Sequence, residues 1–259
     1  MDVETLFQAE LERRGIPFRA DLENEGGYLV ERDGAELAVS LHNLARELER
    51  DGDAGRVAAF VDAVERSWLA AEAGLAPEHL YWILEPSDYA ESLKASYRNP
   101  LSPSVDVVLA FTDPEARLVS WATAEMLRAL KLTEDQSGAL ASQNLARALE
   151  EATLQVEVVD GSRLGVLTTS LPFKTALMLA PNLPAVAGGP LGWPLLAVAP
   201  DRDFLYLWPA SDHDLLARLG RVVVREYRSA PHPLSTEVWE LSNDGIRAIG
   251  SFPAGPADG

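Results

Sequence analysis

Short runs of β-forming residues come in pairs along this chain, each pair bracketing a tight turn. Residues 153–159 and 163–168 surround Asp160-Gly161, 195–199 and 204–208 flank Pro200-Asp201-Arg202-Asp203, and 237–241 and 246–249 bracket Asn243-Asp244-Gly245. Residues 28–31 and 36–39 repeat the pattern around Asp33-Gly34, and 105–111 and 118–121 do so around Asp113-Pro114. An Asp-Gly spacer favours a hairpin because its residues accept the positive φ that the tight turn demands. Strands joined this closely pair antiparallel, since parallel neighbours need a crossover of a dozen or more residues. A helical pattern follows most pairs, and the unit recurs about four times without a residue-by-residue repeat. The expected fold class is α+β: hairpin-plus-helix units, with helices packed on a mainly antiparallel sheet.

The helices announce themselves by spacing and caps. Leu6, Phe7, Glu10 and Leu11 mark residues 4–14, and Gly15 is placed to stop that helix. Ser40 is placed to cap a helix running to about residue 50. Val57, Phe60, Val61, Val64 and Trp68 form one apolar stripe. Thr133-Glu134-Asp135-Gln136 is a capping-box pattern opening a helix with Ala141, Leu145, Ala148 and Leu149 on one face. Ser211 and Asp212 precede a stripe of Leu215, Leu216, Leu219, Val222 and Val223. Residues 172–190 read as helical at first and then as Pro/Gly-rich turn. The Pro-rich stretch 98–103 reads as a linker, dividing an acidic α+β region 1–100 from a second α+β region 101–252, or joining them in one continuous domain. Residues 253–259 read as a disordered tail.

Charge limits what the chain can bind. It has 40 acidic against 22 basic residues, net −18, and residues 1–100 alone hold 21 acids and 10 bases. Such a field repels phosphate backbones, so nucleic acid is not an expected partner, whereas a basic protein surface is. No apolar run approaches the ~20 residues that span a bilayer, so no membrane association is expected. The start Met1-Asp2-Val3-Glu4 lacks the basic and apolar character of a signal peptide, which points to a cytoplasmic protein. With no Cys, thiolate metal sites, disulfides and Cys nucleophiles are excluded.

The search for chemistry is mostly negative. No phosphate-cradling glycine motif, nucleophile elbow or H-E-x-x-H is present, and the four His are scattered, so no cofactor or metal is expected. Gly188-Gly189-Pro190-Leu191-Gly192 reads as a turn packed on the core. Four residues stand out as ligand-binding candidates. Asp201 and Arg202 sit at a hairpin tip, where Arg offers a planar fork to a carboxylate or phosphate, although Asp in an ordinary turn serves as well. Asn144 lies on an apolar helix face, where an amide must find partners or contact a ligand. Lys174 opens the helical stretch after Pro172-Phe173, where a cation adds to the anion preference of a helix start. No catalytic residue can be named. In residues 204–208 Phe204, Tyr206 and Trp208 share one face and Leu205 and Leu207 the other, which marks a strand covered on both sides.

Several stretches resemble the YtpQ-like family of uncharacterised bacterial proteins. They are Phe173-Lys174-Thr175-Ala176-Leu177-Met178-Leu179, the run from Leu196 through Pro200-Asp201-Arg202-Asp203 to Leu205, Pro233-Leu234-Ser235, Asp244-Gly245, and Ala141-Ser142-Gln143-Asn144-Leu145. The resemblance spans about residues 25–250. It implies one architecture over much of the chain and places Asn144 and Pro200-Asp201-Arg202 within a family pattern. The family has no established activity, cofactor or catalytic residues to transfer.

The reading that follows is a non-enzymatic cytoplasmic protein that binds a protein partner through an acidic surface, an immunity- or antitoxin-like role being one form. The alternatives are an enzyme or small-ligand binder with a pocket near Asn144, Lys174 and Arg202, and a scaffold or oligomer subunit, which calls for an exposed apolar patch.

Overall fold

The computed structural model describes residues 2–22, 26–32, 35–73, 76–92, 97–113 and 119–253. The turn residues Asp33, Gly34 and Pro114, the side chain of Trp68, and the tail from 254 lie outside the described residues. The chain divides into two units, Met1–Gly74 and Leu75–Gly259.

In the first unit, α1 (Val3–Arg14) begins at Asp2, whose carboxylate accepts from the Glu4 and Thr5 amides, and ends at Gly15 with φ 70°. Strands β1 (Phe18–Ala20), β2 (Gly27–Arg32) and β3 (Ala35–Ser40) form an antiparallel meander. Helices α2 (His42–Asp51) and α3 (Gly55–Ala73) follow. Ser40 Oγ accepts from the His42 amide, but Ser40 is not the cap read from the sequence: the cap position is Leu41, which makes no side-chain capping bond. Phe7, Leu11, Tyr28, Val30, Leu44, Val57, Val61 and Val64 make the core. Val57, Val61 and Val64 of the stripe read from the sequence are thus buried by α3, with Phe60 partly buried beside them, at roughly 1.5–3 kcal/mol for each fully buried large apolar side chain.

The second unit holds two antiparallel sheets. Strand β4 (Leu80–Pro86) is followed by the short helix α4 (Ser87–Ser92), then β5 (Arg98–Pro100), β6 (Val105–Thr112) and β7 (Val119–Trp121). Strand β6 pairs with β4, β5 and β7. After α5 (Ala124–Ala129) and α6 (Glu134–Glu151) come β8 (Thr153–Val159), β9 (Ser162–Thr168), α7 (Leu183–Leu191), β10 (Leu195–Asp201), β11 (Phe204–Pro209), α8 (His213–Ser229), β12 (Glu237–Ser242) and β13 (Gly245–Ser251). The larger sheet has the order β13-β12-β10-β11-β9-β8. Both bonds of the capping box at Thr133 and Gln136 are formed, and Asp212 caps α8 through the Leu215 amide. The α+β class with antiparallel pairing is therefore the observed architecture.

Three further expectations need correction. The stretch 98–103 is not a linker and no boundary falls near residue 100. Residues 98–100 pair with β6, and Ser102 Oγ and Ser104 Oγ hydrogen-bond Glu237 and Ser235. Prolines suppress helix here without preventing an edge strand. Second, Lys174–Leu179 is helical as read, a 3-10 helix, but the Pro/Gly-rich end of 172–190 is not a turn: it forms α7. Pro184 occupies the first turn, where its missing N–H is harmless, and Arg163 donates to the end carbonyls of Pro190 and Leu191. Third, the short strand β1 is absent from the sequence reading. Strand β11 lies inside the larger sheet as expected, with Leu205, Leu207 and Trp208 buried, although Phe204 is 43% exposed.

Candidate functional site

Strand β4 carries an apolar run that ends in a carboxylate. Glu85 is buried and stands opposite Asp106 across the β4–β6 ladder, so the two acids share one sheet face. Their surroundings differ. Asp106 accepts from Ser87 Oγ at 3.0 Å and from Arg98 Nη1 at 3.0 Å. Among the described residues Glu85 accepts a single long bond, from Trp121 Nε1 at 3.4 Å. Burial pushes the Glu85 carboxyl up, since a low-dielectric site disfavours its ionised form, while the Arg202 guanidinium and the Trp121 donor pull it partly back.

Arg202 arrives from the β10–β11 turn. Its backbone is clamped: its amide donates to His232 O, and its carbonyl accepts from the Thr175 amide and Thr175 Oγ1. Its Nε is sealed from solvent and has no hydrogen-bond partner among the described residues. The guanidinium acts on the charges of Glu85 and Tyr89, yet forms no ion pair with Glu85. The Tyr89 hydroxyl is pushed up to about 12, first by burial and then by Glu85. The Tyr89 and Trp121 rings meet edge to face at 5.6 Å. A carboxyl with one weak bond thus lies near a guanidinium with an unused donor, beneath two aromatic side chains. Such a pair can hold a proton on Glu85, or bind a small polar group that accepts from Arg202 and bonds the carboxyl.

The sequence candidates fall in two places. Asp201, Arg202 and Lys174 come together, because Thr175 bonds the Arg202 carbonyl. The turn is not a free hairpin tip. Asp201 is buried, its Oδ1 accepts from the Asp203 amide at 2.7 Å, and burial raises its carboxyl. Lys174 is half-buried and has no ion pair among the described residues. Asn144 is spent elsewhere. Its Nδ2 donates to Pro77 O at 2.9 Å and Leu80 O at 2.7 Å, and its Oδ1 accepts from Arg147. Leu80 and Glu85 are five residues apart on β4, roughly 16 Å at strand rise, so Asn144 does not share a pocket with Arg202. Glu85, Tyr89 and Trp121 are absent from the sequence candidates. The available signal was a carboxylate closing an apolar strand just before Pro86.

A groove of about 700 Å³ runs along α8 beside Phe252, and none of its lining residues belongs to the Glu85–Arg202 cluster. Among the described residues, no group of three or more His, Asp or Glu side chains is placed to hold a metal ion, and no helix is long and apolar enough to cross a membrane.

The first unit concentrates charge. Its 74 residues hold 17 acids and 8 bases, net −9, half of the chain's −18. Four of its eight arginines turn onto its own carboxylates. Arg14 reaches Glu10, Asp62 and Glu65 at 2.7, 2.5 and 2.5 Å, Arg13 pairs with Glu10, Arg19 with Glu36, and Arg56 with Glu47. The Arg13 hydrogen bond, aided by Arg14, holds the Glu10 carboxyl down to about 2. Glu12, Glu31 and Glu49 are exposed and have no ion pair among the described residues.

No protein-family model, curated protein or solved structure matches the chain.

Proposed function

We propose that this chain is a non-enzymatic protein-binding module that engages a basic partner through the acidic surface of its first unit. The supporting observation is the internal pairing of Arg13, Arg14, Arg19 and Arg56, which leaves Glu12, Glu31 and Glu49 facing solvent in a unit of net −9. Complementary charge of this kind accelerates encounter and selects against acidic competitors. A cytoplasmic setting, an immunity-like role and kinship with the YtpQ-like family belong to the same proposal. The test is capture from native cells at low and moderate salt, with the wild-type chain and a Glu12→Gln/Glu31→Gln/Glu49→Gln variant. The expected result is a basic partner held by the wild type, released by salt and held less well by the variant. A partner held equally by both chains, at either salt, refutes the proposal.

A second reading rests on the sealed, unpartnered Nε of Arg202 beside buried Glu85. It makes the second unit a binder of a small polar or anionic molecule. Arg202→Leu distinguishes the two, since it removes small-molecule binding and leaves capture of a basic protein intact.

A further inference from the structure

Exposed apolar side chains gather at one edge of the larger sheet. Among the described residues, strand β8 is the end of that sheet and pairs only with β9. Val156, Val158 and Val159 are 38%, 70% and 38% exposed. The turn that follows has φ 51° at Asp160 and 85° at Gly161, between the paired residues Val159 and Ser162. A two-residue turn with both φ positive is of type I′. The residues flanking such a turn exchange both backbone hydrogen bonds, and bonded pairs then recur at every second position. Residues 159, 157, 155 and 153 therefore bond inward to β9. Leu154, Val156 and Val158 direct their N–H and C=O groups outward, along the free edge. The same three residues share one sheet face. An open ladder of donors and acceptors with apolar side chains is a template for another strand.

We propose that a second copy of the chain covers this edge, by antiparallel β8–β8 pairing about a twofold axis at Val156. The sequence Leu154-Gln155-Val156-Glu157-Val158 has almost the same pattern in both directions. In this register Val156 meets its own equivalent and Leu154 of one copy opposes Val158 of the other, giving about six new backbone hydrogen bonds. On the opposite face Gln155 stands across from Glu157, an amide against a carboxylate. Parallel pairing would set Glu157 against Glu157, and like charges directly opposite are destabilising. The contact uses the same patch on both copies, so it closes as a dimer rather than a filament.

Each copy carries −18, which opposes the approach. Self-association therefore strengthens with salt, whereas binding of a basic partner weakens, so the two proposals fail independently. The experiment is sedimentation of the full chain at ~0.1 mM, in low salt and at ~0.3 M salt, where the Debye length is ~6 Å. The expected mass at the higher salt is twice 28.1 kDa. Val156→Pro removes an outward N–H and spares the β8–β9 ladder, and Proline is tolerated at such an edge position. It should weaken the dimer at least ~10-fold, which is ~1.4 kcal/mol. Val158→Lys should do the same without altering the backbone, and it decides the matter if Val156→Pro does not fold by circular dichroism. A monomer at both salt concentrations, a dimer that salt weakens, or a dimer indifferent to Val158→Lys overturns the proposal.

Discussion

Replacing Asn144 by Ala tests whether this buried amide is a strut. Asn144 is 2% exposed and donates to Pro77 O and Leu80 O, fixing α6 against the start of β4. Truncation leaves the Leu80 carbonyl without that donor, while the Pro77 carbonyl keeps the Leu80 amide. A buried acceptor left unmatched costs ~1–3 kcal/mol. The Leu80 site is fully buried and belongs in the middle of that range, whereas the Pro77 carbonyl is partly open, keeps one donor and adds little. The void left by the amide adds ~1 kcal/mol. Arg147 is exposed, so water replaces its lost acceptor at little cost. The sum is about 3 kcal/mol, at the top of the common range for point mutants. Urea unfolding followed by tryptophan fluorescence reads this directly, because five of the six Trp lie in the second unit. With a slope of ~2–3 kcal/mol/M, the midpoint falls by more than ~1 M. Asn144→Asp keeps the volume but points a carboxylate at two carbonyls, so it is hurt more at pH 7 than at pH 4. A loss below ~1 kcal/mol in both variants would refute the strut.

Three further outcomes follow from the same physics. The Glu85 carboxyl is raised in the folded chain, so that state binds more protons than the unfolded chain once pH exceeds 4.5, and stability falls as pH rises from there toward the folded value. Glu85→Gln should accordingly flatten the pH dependence of the second unit and raise its midpoint at pH 7; an unchanged pH profile would count against a perturbed Glu85. Glu10 has the opposite sign: its carboxyl is lowered to about 2, so its stabilisation is present above 4.5 and lost as pH falls toward 2. Arg14→Met, read by acid titration of circular dichroism, should move unfolding of the first unit to higher pH. Gly165→Ala places a Cβ 2.6 Å from Leu191 Cδ1 and 3.1 Å from Leu154 Cδ1, an overpacked contact costing ~1–3 kcal/mol in thermal or urea unfolding.

The hairpins, the capping box and the αL stop at Gly15 were legible in the sequence because their causes are local. Asp160-Gly161 sets its own turn, and Thr133 and Gln136 bond each other across three residues. Asn144 stood out as an amide on an apolar face, and the sequence already implied that it must be satisfied. Its partners, 64 and 67 residues away, were not readable.

What the chain alone determined is the antiparallel α+β class and the charge, since turn geometry and side-chain ionisation depend on near neighbours. Tertiary structure decided which few of 40 carboxylates are buried, that residues 98–100 pair with β6 instead of linking domains, and that β8 lies at an edge. Burial and strand order are set by which elements pack together across long loops. Glu85 looks the same as any surface glutamate until Arg202, Tyr89 and Trp121 close over it.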